Sequence, residues 1–329
     1  MFWKSLFAAV VAAIGIGFAP HPAAAALSTG VVDVTTTLGY QNGSAAGTGI
    51  VLTSTGEILT NNHVIRGATD LRVIDPSTGR SYAATVVGYS VTRDIAILQL
   101  NGASHLHIVT VGNSSTVKVG QKITAVGNAQ GRGGKPAAAA GKVTGVKRSI
   151  VASDENGLSE QLTGLIQIDA ALQPGDSGGP LLNKAGRVIG MDTAASATFA
   201  FQASHEGYAI PINQALTLAK QIVAGQASLV VHIGSTPFIG VSVSTADSSQ
   251  GMAAGALVVS VVPGSPAEQA GLVEGDTITA LDGQAIVTYD QLSKLLLQHA
   301  AGDTVTVQWI DGTGATQTAD VTTAVGPPQ

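Results

Sequence analysis

The chain has 329 residues, of which 45% are hydrophobic and only 11% charged, with 41 glycines, no cysteine and a net charge of −5. The length predicts two domains, and the negative charge argues against a nucleic-acid-binding protein. The absence of cysteine excludes a thiol nucleophile, a disulfide framework and a cysteine-ligated metal site.

The first 26 residues have the pattern of an export signal. One cation, Lys4, precedes an apolar run from Leu6 to Phe18, and a row of alanines offers a cleavage site after Ala25 or Ala26. The run is shorter than the roughly 20 residues that a membrane-spanning helix needs. We therefore expect segment 1–26 to be removed and the protein to be secreted or located in the cell envelope. An uncleaved amino-terminal anchor is the alternative.

Residues 27–225 carry short β-type runs separated by Gly, Asn or Ser, which is typical of a β-barrel or sandwich rather than of βαβ units. One helix is predicted over Pro211–Ala224, because apolar residues recur there at helical spacing. The Gly-, Ser- and Pro-containing segment 226–236 predicts a linker after this domain. The predicted strands are Gly49–Leu52, Glu57–Thr60, Leu71–Ile74, Ala83–Val87, Ile95–Leu100, Lys122–Val126, Leu165–Ile168 and Arg187–Met191.

Residues 237–326 form the second predicted unit. Two helices are expected, Pro266–Ala270 and Tyr289–Ala300, because a glycine follows each of them as a left-handed stop. The last four residues, Gly326–Gln329, predict a frayed tail. The predicted strands of this unit are Ile239–Val243, Ala256–Val262, Thr277–Leu281 and Thr304–Trp309.

Three short motifs supply the residue types of a serine hydrolase. A serine hydroxyl is a poor nucleophile at neutral pH, so it needs an imidazole to accept its proton and a carboxylate to orient that imidazole. We predict His63, Asp94 and Ser177 for these catalytic roles, with the amides of Gly175 and Ser177 as an oxyanion hole. The motifs are Thr60–Val64, Arg93–Leu98 and Gln173–Pro180.

Each of these residues alone has an ordinary structural interpretation. A histidine after a strand is often a hydrogen-bonded structural residue, Asp94 suits a turn before an apolar strand, and Ser177 suits a glycine-rich turn. Their order and flanking residues together favour catalysis. The serine motif also fits the nucleophile elbow of an α/β-hydrolase, but that elbow leads into a helix and has its acid and histidine downstream.

The motifs are similar to those of the chymotrypsin-like serine proteases, and within them to the HtrA/DegP-like branch. The resemblance covers roughly Val31 to Val325 and implies a mainly β protein, a chymotrypsin-like double β-barrel followed by a circularly permuted PDZ domain. It implies an ATP-independent serine endopeptidase that hydrolyses unfolded or damaged proteins and uses no cofactor or metal. A chaperone or peptide-binding scaffold with little turnover is the alternative. The segments that carry the likeness are Thr60–Ile65, Val126–Asn128, Ile166–Ala171, Gly175–Leu181 and Tyr208–Pro211.

The second unit resembles a bacterial PDZ domain, which binds a peptide's carboxyl end as an added strand. The resemblance places the peptide carboxylate on the amides of Ile239, Gly240 and Val241. It places Leu292, with Leu295 or Leu296, on the helix facing the peptide, although these leucines are equally compatible with core positions. The segments that carry this likeness are Phe238–Val241, Val262–Ala267, Ala270–Leu272 and Gly275–Ile278.

The resemblance also places Ala171 at the base of the pocket for the side chain before the cleaved bond, with Thr193, Ala194 and Ala195 in its wall. A pocket for Lys or Arg would need a carboxylate at that base. We therefore expect cleavage after Val, Ala, Ile or similar residues, provided that the side chain of Asp192 does not turn into the pocket.

The expected partners are unfolded or misfolded proteins and, at the PDZ unit, peptide carboxyl termini, with no nucleic acid. Members of the resembled family usually form homo-trimers through an amino-terminal segment with aromatic contacts. In this chain we expect only Leu27–Thr37 to precede the barrel, and that segment contains no aromatic residue, which argues against this mode of trimer formation.

Overall fold

The computed structural model describes residues 27–153, 159–193, 206–246 and 253–329. The predicted export signal, 1–26, and two predicted pocket residues, Ala194 and Ala195, lie outside these ranges. The described chain forms two β-barrels and a smaller unit of strands and helices.

The first barrel consists of six antiparallel strands in the order β5-β4-β1-β2-β3-β6, and it closes because β5 also pairs with β6. A short strand from the segment predicted as a linker, β13, adds to β5. A four-residue helix, α1 (Asn62–Ile65), follows β3 and lies beside the barrel. The strands are β1 (Val31–Leu38), β2 (Gly43–Val51), β3 (Glu57–Thr60), β4 (Asp70–Asp75), β5 (Arg80–Ser90), β6 (Ile95–Leu100) and β13 (His232–Ile233).

The second barrel is a closed ring of strands in the order β10-β11-β12-β9-β8-β7. Helix α2 (Ile212–Val223) follows β12, and its stripe of Ile212, Ala215, Ala219 and Ile222 is buried as the helical spacing predicted. The strands are β7 (Lys122–Gly127), β8 (Ala137–Ser153), β9 (Ser159–Ile168), β10 (Pro180–Asn183), β11 (Val188–Thr193) and β12 (Gly207–Pro211).

The third unit is a sheet in the order β15-β16-β17-β19-β20, with β18 paired to β17. Alternation along β19 turns Val305, Val307 and Trp309 into the core. Helix α3 has Ser265 as its N-cap, because the Ser265 hydroxyl accepts from the Glu268 amide, and it ends at Gly271, whose φ is +95°. The elements are β15 (Val241–Thr245), β16 (Ala256–Val261), α3 (Pro266–Ala270), β17 (Thr277–Leu281), β18 (Gln284–Ala285), α4 (Tyr289–Leu296), β19 (Thr304–Ile310) and β20 (Thr316–Thr322).

This third unit packs against the first barrel through several side-chain contacts. Phe238 stacks on Tyr40 of the first barrel with ring centroids 5.3 Å apart. The hydroxyls of Thr236 and Tyr89 lie 3.0 Å apart, and Leu297, which follows α4, packs against the core of the first barrel. Two further strands pair antiparallel at this junction, β14 (Thr236–Phe238) and β21 (Ala324–Gly326).

The prediction of a frayed tail is wrong. The Gly67 amide donates to the carbonyl oxygen of Pro328 at 2.8 Å, and the Asn62 side-chain amide donates to the main-chain oxygen of Gln329 at 2.8 Å. Pro328 is buried. The tail is ordered because its backbone oxygens find donors on the first barrel, 267 residues away in sequence for the Asn62 contact.

Candidate active site

The three predicted catalytic residues come from both barrels. His63 lies on α1 and Asp94 directly precedes β6, both in the first barrel. Ser177 lies in the turn before β10 of the second barrel. The fold therefore builds the site at the junction of the barrels.

His63 and Asp94 form a closely paired couple. Nδ1 of His63 lies 2.9 Å from Oδ2 and 3.0 Å from Oδ1 of Asp94, and the His63 main-chain amide donates to Oδ1 at 3.0 Å. The Asp94 carboxylate is buried, whereas the imidazole is 40% exposed. Because the carboxylate accepts from Nδ1–H, the tautomer it selects leaves Nε2 without a proton and able to act as a base.

Two neighbours hold Asp94 in place. It is a left-handed residue, with φ 51°, at the end of a short turn, and the Asn61 side-chain amide donates to its main-chain oxygen at 2.9 Å. The Thr193 hydroxyl donates to Oδ2 at 3.1 Å. Thr193 was predicted to line the specificity pocket, but its buried hydroxyl is turned to Asp94 instead. Sequence reasoning missed both supports, because neither motif spacing nor periodicity brings these residues to Asp94.

The turn that carries Ser177 needs its glycines. Gly175 and Gly178 have φ of +95° and +85°, and a Cβ on them would collide with the carbonyl oxygens of Asn128 and Thr48, respectively. The Gly178 amide donates to the Asp192 carbonyl oxygen at 2.9 Å, which joins the turn to β11. The glycines thus let the backbone bend while it stays in contact with both barrels.

Thr48 on β2 connects the first barrel to this turn. Its amide donates to the Ser177 carbonyl oxygen at 2.8 Å, and its hydroxyl donates to the Gly175 carbonyl oxygen at 2.7 Å. The same hydroxyl accepts from the Asn128 amide of the second barrel at 2.8 Å. Thr48 is fully buried. One side chain therefore fixes the turn between the two barrels.

A buried pair of acids lies behind the same turn. Asp176 precedes Ser177, and its Oδ2 accepts from the Gln173 amide at 2.8 Å. Asp192 is fully buried, and no hydrogen-bond donor in the described ranges reaches either of its carboxylate oxygens. Burial, and then the nearby charge of Asp176, raise the pKa of Asp192 well above its ordinary value, and burial raises that of Asp176. Both shifts favour the neutral form of these carboxyl groups in the folded protein.

The other predicted site residues are placed as follows. Ala171 is exposed just before the serine turn. In the PDZ unit, Ile239 is buried, Gly240 has φ of +91°, and Val241 opens β15. Leu292 is 2% exposed and packs in the core of that unit, so it offers no surface to a peptide. The partly buried Leu295 stays compatible with the predicted role.

The described segments hold no cluster of three or more His, Asp or Glu side chains that could bind a metal ion. None of the helices in the described part of the chain is long and apolar enough to cross a membrane.

Comparisons with known proteins agree with this fold. The trypsin-like peptidase domain family matches residues 47–191, and the PDZ domain family matches residues 237–323. Serine protease PepD of Mycobacterium tuberculosis is 34% identical over 314 residues, which cover 91% of this chain and 64% of PepD. Serine protease Do-like HtrA of Lactococcus lactis is 33% identical over 297 residues, which cover 84% of this chain and 70% of that protein.

Solved structures show the same likeness. The HtrA-type protease AlgW with a tripeptide superposes with a TM-score of 0.54 at 28% identity, covering 94% of this chain and 98% of that one. The chain belongs to the HtrA (Do-like) family of trypsin-like serine proteases, in a form with a PDZ domain after the protease domain. This confirms the family and the fold class that the motifs indicated.

Thr48 provides a test of how the serine turn is held. Thr48→Val keeps the shape of the side chain but leaves the Gly175 carbonyl and the Asn128 amide without their buried partner. Each loss costs about 1–3 kcal/mol, so we expect urea unfolding to show a free energy lower by roughly 2–6 kcal/mol. The matched control is Thr36→Val, because Thr36 is also buried on the first barrel and its hydroxyl donates only to Ala45. An equal loss in both variants would contradict a special role for Thr48.

The acid pair makes the stability depend on pH. Because the native pKa of Asp192 is raised, the folded state binds more protons than the unfolded state, so the free energy of unfolding decreases as pH rises above about 4. Asp192→Asn removes this titration and should stabilise the protein, relative to the wild type, increasingly as the pH rises above about 4. Each pH unit adds at most about 1.4 kcal/mol. Burial also raises the pKa of Asp33 to about 6. This residue adds a pH dependence of the free energy of unfolding that the wild type and the Asp192→Asn variant share. A stability difference that does not change with pH would show that Asp192 is ionised when folded.

Proposed function

We propose that this chain is a serine endopeptidase with His63, Asp94 and Ser177 as its catalytic residues. The observation that carries the proposal is the contact of the His63 Nδ1 atom with both oxygens of a buried Asp94 carboxylate, beside the glycine-rich turn of Ser177. Membership in a family of serine proteases supports the same activity.

In this reaction, the Ser177 hydroxyl oxygen bonds to the carbonyl carbon of a peptide while its proton passes to Nε2 of His63. Asp94 stays ionised and stabilises the imidazolium through Nδ1–H. His63 then gives the proton to the leaving amine, the C–N bond breaks and an acyl-enzyme remains. A water molecule that loses its proton to His63 attacks the ester, and the peptide acid leaves as Ser177 regains its proton.

The developing oxyanion would be stabilised by the amides of Gly175 and Ser177. Both residues belong to the turn whose carbonyl oxygens Thr48 binds. A turn held this way does not have to reorganise when charge develops, which is the source of such stabilisation.

The proposed substrates are unfolded or damaged proteins. The PDZ domain would bind their carboxyl termini along β15, with the carboxylate on the amides of Ile239, Gly240 and Val241. The signal pattern of residues 1–26 supports export to the cell envelope or medium. The homo-trimer usual in the family stays a prediction, and the lack of an aromatic residue in Leu27–Thr37 argues against it.

Substitution of the catalytic residues tests the proposal. Ser177→Ala should reduce the turnover of casein by about 10⁴–10⁶-fold, because the triad acts as one unit. Asp94→Asn should reduce it about 10⁴-fold through the wrong imidazole tautomer. Asp70→Asn is the matched control, since that carboxylate is exposed on β4, and it should cleave casein normally. Wild-type protein that binds unfolded casein without cutting it would instead favour the chaperone or scaffold function.

The fragments of casein test the specificity. Ala171 offers no carboxylate, and Asp192 is fully buried on β11 rather than open to a cleft, so cuts after Val, Ala or Ile should dominate. The preference should be soft, since one methylene is worth about 1–3 kcal/mol. Mass spectrometry identifies the cut sites, and a majority of cuts after Lys or Arg would contradict this pocket.

A further inference from the structure

The last four residues form a strap, which we define as Gly326–Gln329. The strap continues from β21, which pairs with β14 at the junction of the PDZ domain and the first barrel. At its start, a Cβ on Gly326 would collide with Phe238, so the strands approach closely there. The strap thus leaves the PDZ domain at a fixed point and runs onto the protease domain.

The strap contacts both ends of α1, the helix that carries His63. At the first residue of the helix, the buried Asn62 side chain donates to the main-chain oxygen of Gln329 at 2.8 Å. Just beyond its last residue, the Gly67 amide donates to the carbonyl oxygen of Pro328 at 2.8 Å. Two consecutive strap residues therefore hold the helix before and after the histidine.

The buried side chain of Tyr89 contacts the strap from the core of the first barrel. Its side chain is fully buried, and its hydroxyl lies 3.4 Å from the Gln329 amide and 3.0 Å from the Thr236 hydroxyl. Burial raises the pKa of this phenol to about 12, so it stays neutral. The same buried ring packs 5.1 Å from that of His232. The position of the strap is thus set by the core of the first barrel.

Helix α1 needs such support because it is short. It consists of four residues, and a single turn is not stable alone since nucleation of a helix is unfavourable. The imidazole is 40% exposed, so its own packing does little to fix the helix. A catalytic base displaced by about 1 Å can lose about 100-fold in rate.

We propose that the strap is a positioning element for the catalytic histidine, with Asn62 as the positioning residue through which it acts. This inference rests on the proposed catalytic role of His63. The strap touches neither substrate nor the reacting atoms; it fixes where α1 lies relative to the serine turn.

Removal of Pro327–Gln329 from the full chain tests the inference. On a short chromogenic peptide, too small to need the PDZ domain, kcat should fall about 10-fold, as expected for two lost hydrogen bonds, and KM should stay nearly constant. The free peptide Val-Gly-Pro-Pro-Gln at millimolar concentration should restore kcat, because a tethered segment has a comparable effective concentration. Val325→Thr is the control, since that side chain is 69% exposed and its substitution should leave kcat unchanged.

Asn62→Leu gives a second readout that does not shorten the chain. Leucine has a similar shape but no donor and removes one of the two strap contacts, so kcat should fall about 3-fold while the thermal midpoint stays the same or rises. Combined with the strap deletion, it should cause no further loss, because both changes remove one shared contact. A purely structural contact would lower the thermal midpoint and leave kcat intact.

Full kcat in the strap deletion, or losses that multiply in the double variant, would overturn the inference. Ser177→Ala in the same assay separates it from the proposed function. If Ser177→Ala is inactive and the strap deletion is fully active, only the strap inference fails. If Ser177→Ala is as active as the wild type, the proposed catalytic role itself fails.

Discussion

The hydrogen bonds of Thr48 are the constraint on which the site depends. The residue belongs to the first barrel, yet it binds the carbonyl oxygens of Gly175 and Ser177 and the Asn128 amide of the second. Two barrels could pack in many orientations through apolar contacts alone, because hydrophobic contact has little directionality. Buried hydrogen bonds permit far fewer orientations, since any donor or acceptor that is out of alignment is left without a partner. This restriction fixes the serine turn relative to the first barrel, which also carries His63.

The second barrel stabilises the serine turn through the main chain of a residue whose side chain is a buried acid. Asp192 lies behind the turn with its main chain bonded to Gly178 and Gly179, while its side chain is buried next to that of Asp176. Two ionised carboxylates at this depth would repel each other and lack water, so the protonated form of Asp192 is favoured there. The backbone contacts of β11 keep this costly arrangement in the folded state.

The sequence identifies the proposed catalytic residues better than the residues that position them. His63, Asp94 and Ser177 stand in local motifs, whereas Thr193 reaches Asp94 across 99 residues and Asn62 reaches Gln329 across 267. Such pairings leave no local signal. Strand β8 was missed because its alanines and glycines have low strand propensity, and pairing with β7 and β9 overrides that preference. A terminal Gly-Pro-Pro-Gln also lacks any local reason for order.

The strap also has a consequence for the stage of synthesis at which a nascent chain becomes able to cleave peptides. Ribosomes add residues in order, and amino-terminal domains fold while the rest is still being made. Both barrels could thus form before Pro328 and Gln329 exist, but the helix of His63 would still lack its contacts with them. If the strap acts as proposed, the helix that carries His63 reaches its final position only after Gly326–Gln329 have been added to the chain. An incomplete chain, and any fragment cut before the strap, would then be a poor protease.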